Sequence, residues 1–286
     1  MSDDQDALRS SAPSLAEDLL LGRETDYPQV YTPSLLCPIP RAAARESAGI
    51  ALDPLPFRGE DLWTAYELSW LDDRGRPRFC AARITVPATS PNIVESKSLK
   101  LYLGSFAQTR FRQPNEVSST ISGDLTLAFR APVLVDLLPA SQIELYSGPL
   151  PGHCLDDEAV DINRYERDPG LLRVDSGGAT VKDSLYTHTF RSLCPVTNQP
   201  DWATVAIQYV GPQIDRASLY AYCVSFRQHT GFHEATVEQM FKDLLTLCEC
   251  ERLSIWARFL RRGGIDINPF RSNWDDSPPK FRLPAQ

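Results

Sequence analysis

What most constrains the fold of this chain is a structural plan that it runs through twice. In the first half, Leu62-Trp-Thr-Ala-Tyr-Glu-Leu-Ser-Trp70 alternates apolar and polar positions, turns through Asp72-Asp-Arg-Gly-Arg-Pro77 and resumes as Phe79-Cys-Ala-Ala-Arg-Ile-Thr-Val86, which is a hairpin pattern. A stretch from Ser96 to about Ala107 follows with helical spacing of Leu99, Leu101 or Tyr102, and Phe106. The second half reads as a strand over 204–210, a turn over 211–215, a second strand over 218–226 and a helix from about Ala235 to Cys250. Both halves set a Glu where loop meets helix, Glu95 and Glu234, 139 residues apart. An acidic group there suits the positive end of a helix dipole, so capping is the simple role for each taken singly. Recurrence at matched positions favours a ligand. Further strand-like runs cover 125–129, 132–136, 142–146 and 254–260, and the expected product is an α+β fold of antiparallel sheets with helices packed on one face.

Residues 1–45 are rich in Ser, Pro and charge and read as an N-terminal arm. A first module over 46–150 and a second over 191–286 are joined by 151–190, a linker punctuated by Pro151-Gly152 and Ser176-Gly-Gly178 that feeds a first strand near 185–190. The net charge of −8 argues against a nucleic-acid binder, which needs a basic surface to displace counterions. No apolar run approaches a membrane span, and the acidic, polar start has no signal-peptide core, so the expected location is cytoplasmic. Seven cysteines without regular spacing fit free thiols in a reducing compartment. Cys80 and Cys223 fall in apolar strand patterns, and Cys248-Glu-Cys250 is too short for a zinc half-site.

Cys194 alone has a polar, turn-rich setting, in Ser192-Leu-Cys194-Pro-Val-Thr-Asn-Gln-Pro-Asp201-Trp202. A cysteine held by Pro195 and Pro200, with a carboxylate seven positions later, has the parts for covalent catalysis if Asp201 turns back toward the sulfur. A buried structural thiol is the usual fate of a lone Cys, but Thr197, Asn198 and Gln199 are not core-like neighbours. Taken alone, Lys97 and Lys100 read as solvated helix positions, Asp201 as a turn cap and Arg261-Arg262-Gly263-Gly264 as a strand end with a turn. His229 and His233 are four apart, yet Gly231 lies between them and no third ligand accompanies them, so no metal is expected.

Four strings together resemble a known family. Glu95-Ser-Lys-Ser-Leu-Lys-Leu-Tyr102, Cys194-Pro-Val-Thr-Asn-Gln-Pro-Asp201, Gly231-Phe-His-Glu234 and Arg261-Arg-Gly-Gly-Ile-Asp-Ile-Asn-Pro-Phe-Arg271 are similar to the long, two-module NADPH-dependent 7-cyano-7-deazaguanine reductases, the nitrile reductases of queuosine biosynthesis. The resemblance runs from about residue 20 to the end, and the Glu-Ser-Lys-Ser-x-Lys string separates these enzymes from GTP cyclohydrolases of the same fold. It implies tandem tunnelling-fold (T-fold) modules in a homodimer. Cys194 would attack the nitrile carbon to give a thioimide, Asp201 would take and return the proton, and His233 would sit beside the nitrile. Glu95 and Glu234 would accept from the guanine-like edge, with Val94 and Ser96 lining the pocket. Ser96 and Lys97 would meet one part of NADPH, Arg262 and Gly263 another. The implied ligands are thus a small deazapurine nitrile and NADPH, and the absence of Gly-x-Gly-x-x-Gly after any strand rules out a Rossmann site. Two other functions stand beside this one: a zinc-dependent cyclohydrolase, whose ligand set cannot be assembled here, and a purine-binding protein without chemistry.

Overall fold

A computed structural model describes residues 28, 30–143, 145–175, 177–275 and 278–286. Most of the N-terminal arm expected over 1–45, and Ser176 of the expected linker punctuation, lie outside the described residues.

The first unit opens with β1 (Pro38–Pro40) and α1 (Ala42–Ser47), then builds the expected hairpin as β2 (Arg58–Leu71) and β3 (Pro77–Pro87). After β4 (Asn92–Val94) come α2 (Ser96–Gly104), α3 (Pro114–Phe129) and β5 (Leu134–Leu138). The short strands β6 (His153–Cys154) and β7 (Val174–Asp175) lie in the connection. The second unit is β8 (Val181–Leu193), β9 (Pro200–Gly211), β10 (Gln213–Ile214), α4 (Arg216–Ser225), α5 (His233–Leu247), β11 (Arg252–Phe259) and β12 (Ile265–Ser272).

The stretches 125–129 and 218–226, expected as strands, are helical: the first ends α3 and the second is most of α4. Leu219, Tyr222, Cys223 and Phe226 also satisfy i, i+3, i+4, i+7, and all four are buried, so the helical period wins over the apparent alternation. Cys223 is therefore a core residue of a helix, not of a strand. Over 142–146 there is a 3-10 turn at Ala140–Gln142 and an isolated bridge from Leu145 to Arg282 in place of a strand. The true hairpin of the second unit is β8–β9, with its turn at 194–199.

This shifts the internal match from 139 residues to about 120. Glu95 caps α2 and Asp215 caps α4; each carboxylate accepts the N–H three residues on, from Ser98 at 2.7 Å and Ser218 at 2.7 Å. Both serine hydroxyls donate back to the cap's carbonyl. Tyr102 donates to Asp124 as Tyr222 does to Asp243. The hairpins even share an irregularity, a register shift between Ala65 and Leu68 and another between Thr187 and Phe190. Glu234 is not the counterpart of Glu95. It stands in the first turn of α5, where α3 carries Asn115.

Eight of the strands form one sheet in the order β5-β3-β2-β12-β11-β9-β8-β6, antiparallel except for the β6–β8 contact, while β1 with β4 and β7 with β10 form separate antiparallel pairs. The units join where β12 pairs with β2 from Ile265–Ala65 to Ser272–Arg58. Gly59 has φ 145° at this seam, and a Cβ there would collide with the Phe270 carbonyl. The four long helices cover one face of the sheet. Trp63, Ile84, Leu99 and Phe129 pack beneath the first pair; Val205, Ile255, Tyr222 and Phe241 pack beneath the second. On the opposite face Ala206, Trp256 and Phe270 are covered by Leu150, Phe281 and Leu283.

Candidate active site

The catalytic candidates come together at this seam. A cavity of about 300 Å³ is lined by Val94, Ser96, Lys97 and Lys100 from the first unit and by Cys194, Asp201, His233, Glu234, Arg262 and Gly263 from the second, over a floor that includes Trp63 and Ile267. Of the site residues read from the sequence, Glu95 alone does not line it. Its two oxygens are taken by the backbone N–H groups of Lys97 at 2.8 Å and Ser98 at 2.7 Å, so the capping role foreseen for it is what its carboxylate does.

Cys194 and Asp201 flank the β8–β9 turn. The Cys194 N–H donates to the Gln199 carbonyl and the Asn198 N–H to the Cys194 carbonyl, both at 2.9 Å, closing a loop in which Asn198 takes φ 57°. That closure returns the chain so that Asp201 faces the same cavity as the thiol, only 4% exposed. One Asp201 oxygen accepts from Arg262, and the other lies 3.4 Å from Nε2 of His233. Burial alone would raise this carboxyl, but the His233 and Arg262 contacts outweigh it and hold it below its ordinary value. His233 stacks on Phe259 with ring centres 3.8 Å apart and planes 2° from parallel, which fixes the imidazole.

Arg262, expected from the sequence to meet the cofactor, also contacts Asp201, the expected carrier of the thiol proton. Besides Asp201 it donates to Gln199. It sits before the tight turn of the β11–β12 hairpin, where its N–H donates to the Ile265 carbonyl at 2.9 Å. Gly263 and Gly264 turn the corner with φ 60° and 80°, a pair of left-handed conformations that glycine adopts without strain. Lys100 comes up against Gly263 from α2: a Cβ there would be 3.3 Å from the Lys100 Nζ.

Glu234 is 2% exposed and its Oε1 has no hydrogen-bond partner among the described residues. The Nδ1 of His233 and the Nε1 of Trp63 are buried and unpartnered in the same way. Such groups are costly unless something pairs with them. Burial chiefly, and the charge of Asp61, push the Glu234 carboxyl up, while Arg41 and His233 pull it down. Behind it lies a buried charge cluster that sequence reading missed. Arg41 pairs with Asp61 at 2.5 Å; Arg271 bridges Asp61 at 2.8 Å and Glu238 at 2.9 Å; Arg45 reaches Glu238 at 2.8 Å. Only the spacing of Glu234 and Glu238 on one face of α5 hinted at it. Among the described residues no group of three or more His, Cys, Asp or Glu is placed to hold a metal ion, and no helix is long and apolar enough to cross a membrane.

Fold and cavity define a tandem T-fold protein with a thiol, a paired carboxylate and a cavity of about 300 Å³ at the junction of its units. The family model "Nitrile reductase, 7-cyano-7-deazaguanine-reductase N-term" matches residues 27–137, and that of "QueF-like protein" matches 200–277. NADPH-dependent 7-cyano-7-deazaguanine reductases of Burkholderia vietnamiensis and Burkholderia pseudomallei are 52% and 51% identical over 260 residues, 91% of this chain and 94% of theirs. A crystal structure of the archaeosine synthase QueF-Like in the apo form superposes at a TM-score of 0.30 with 12% identity, over 36% of this chain and 98% of its own, too weakly to bear on the fold. The chain belongs to the family of 7-cyano-7-deazaguanine reductases.

Proposed function

We propose that this protein reduces the nitrile of 7-cyano-7-deazaguanine to the primary amine of 7-aminomethyl-7-deazaguanine, consuming two NADPH, by way of a thioimide on Cys194. The observation that carries this reading is the gathering of Cys194, Asp201, His233 and Glu234 on one cavity whose rim bears Lys97, Lys100 and Arg262. Cys194 gives its proton to Asp201 as its sulfur bonds to the nitrile carbon, one C–N electron pair moves to nitrogen, and Asp201 returns the proton there. The unpartnered Oε1 of Glu234 accepts from the amino-pyrimidine edge, and Glu95, which caps α2 next to the lining residues Val94 and Ser96, is the proposed second acceptor through the lone pairs left over from capping. His233 stays beside the nitrogen, while Val94 and Ser96 wall the pocket.

The cationic rim fits a phosphate-bearing cofactor: Lys97 and Lys100 of α2 and Arg262 beside Gly263 bring three cationic side chains to it, with Ser96 next to them. NADPH, when bound, supplies the two hydrides. The same reading carries a place in tRNA queuosine biosynthesis, a cytoplasmic location, a homodimer, and modules at 46–150 and 191–286 with the linker between.

Mixing the purified protein with NADPH and 7-cyano-7-deazaguanine tests it. Oxidation of two NADPH per nitrile, absent in Cys194→Ala, is expected. Nitrile binding without oxidation would point to a binding protein that has kept the pocket and lost the chemistry.

A further inference from the structure

Asp201 has two tasks in the reduction proposed above, and they need opposite protonation states. To accept the Cys194 proton it must be ionised. Reduction of each C=N bond then adds a hydride to carbon and a proton to nitrogen, and to deliver that proton Asp201 must first hold it. In the structure both its oxygens face cationic or hydrogen-bonding groups, Arg262 on one and His233 on the other, which leaves the carboxylate ready to accept and poorly able to retain a proton. The two partners differ in freedom. His233 is pinned flat on Phe259, whereas the Arg262 side chain is 35% exposed and projects from a two-glycine turn at the cationic rim, beside Lys100. The remaining charged and titratable groups on this cavity are Lys97 and Lys100 from α2, Glu234 from α5 and Cys194 itself.

We propose that Arg262 is shared between Asp201 and the phosphates of NADPH, so that it leaves the carboxylate when the cofactor binds and converts Asp201 from the acceptor of the thiol proton into the carrier of the proton for each reduction. Arg262 is then a positioning residue that ties proton supply to hydride supply. Without cofactor, the ionised Asp201 still permits attack by Cys194; with cofactor, the same carboxyl can be loaded. Gln199 and Thr197 also accept from the guanidinium in this structure.

The test reads the carboxyl directly. Protein with ¹³C-labelled aspartate side chains is titrated from pH 8 to 3, the Asp201 signal being assigned by its loss in Asp201→Asn, with and without saturating NADP⁺, whose binding is followed by calorimetry. Asp201 is expected to titrate below an ordinary aspartate in the free protein and to gain about tenfold or more in proton affinity with NADP⁺, the effect of removing one cationic neighbour. Arg262→Gln should show the higher affinity from the outset, with no further change on adding NADP⁺. An Asp201 signal unmoved by bound NADP⁺ overturns the sharing while leaving the nitrile reduction standing. Failure of NADP⁺ to bind at all removes both.

Discussion

Leu71 and Leu193 end the first strands of the two hairpins, and the residue that follows is Asp72 in one repeat and Cys194 in the other. The surroundings match closely. Leu71 exchanges backbone bonds with Thr109 and Phe111, Leu193 with His229 and Gly231. The turns differ in what closes them. Asp72 accepts from the N–H groups of Arg74 and Arg76 and from the side chains of Arg76 and Arg78, so its carboxylate is spent on its own turn and is held well below the usual range, chiefly by the Arg76 N–H. The Cys194 turn closes through backbone bonds without a carboxylate at its centre, and Cys194, Gln199 and Asp201 line the cavity. One scaffold appears twice, and the cavity lies beside the turn that needs no carboxylate to hold it.

The strongest way to break this comparison is to exchange the roles. Cys194→Ala should abolish the covalent adduct in intact-protein mass spectrometry, whereas Asp72→Ala should keep the adduct and lower the thermal midpoint; an adduct in the first variant, or a lost adduct in a folded second, would end the assignment. Next come the matched caps. Glu95→Ala and Asp215→Ala should each cost about 1 kcal/mol of stability as lost N-caps. Only Glu95→Ala should also weaken nitrile binding, by about tenfold or more for a lost charged hydrogen bond. Equal nitrile affinity in calorimetry would return Glu95 to capping alone.

A third contrast is in pH. Burial, then the charge of Arg167, lowers His229 from 6.5 to about 4, while its counterpart Thr109 cannot titrate. The unfolded chain therefore binds a proton that the folded one refuses, and stability should fall as pH drops from about 6.5 to about 4, then level off. His229→Thr should flatten that limb of a urea-denaturation series. A last contrast is between Tyr102→Phe and Tyr222→Phe, which lose hydrogen bonds worth about 1–2 kcal/mol to half-buried Asp124 and to buried Asp243. The second should cost more, because Asp243 also anchors Arg167 at 2.7 Å; equal losses would mean that the two helix pairs are energetically interchangeable.

How much of this could be read beforehand follows from particular residues. The first hairpin was legible because its turn, Asp72-Asp-Arg-Gly-Arg-Pro77, is strong local punctuation between alternating runs. The second was misplaced because Ser218–Phe226 suits either period over so few residues. The stronger signal was the direct likeness of Ser98-Leu99, Tyr102 and Ser105-Phe106 to Ser218-Leu219, Tyr222 and Ser225-Phe226, which gives the spacing of 120. Cys194, Asp201 and Glu234 were legible as chemistry. The Arg262 contact with Asp201 and the Arg41, Asp61, Arg271, Glu238 cluster were not, since the first joins residues 61 positions apart across the β9–β11 pairing and the second is closed by an Arg271–Asp61 pair across β2–β12.

That pairing also sets an order on synthesis. A ribosome that has released the chain as far as Asp201 has made the thiol, the Lys97 helix and the acid, but not the His233 helix or the Arg262 turn, and not the strand that stitches Ala65 to Ile265. The pocket therefore exists only once β12 has emerged and closed against β2. A chain ending between Asp201 and His233 would carry Cys194 and Asp201 without the histidine and the arginine that face that carboxylate.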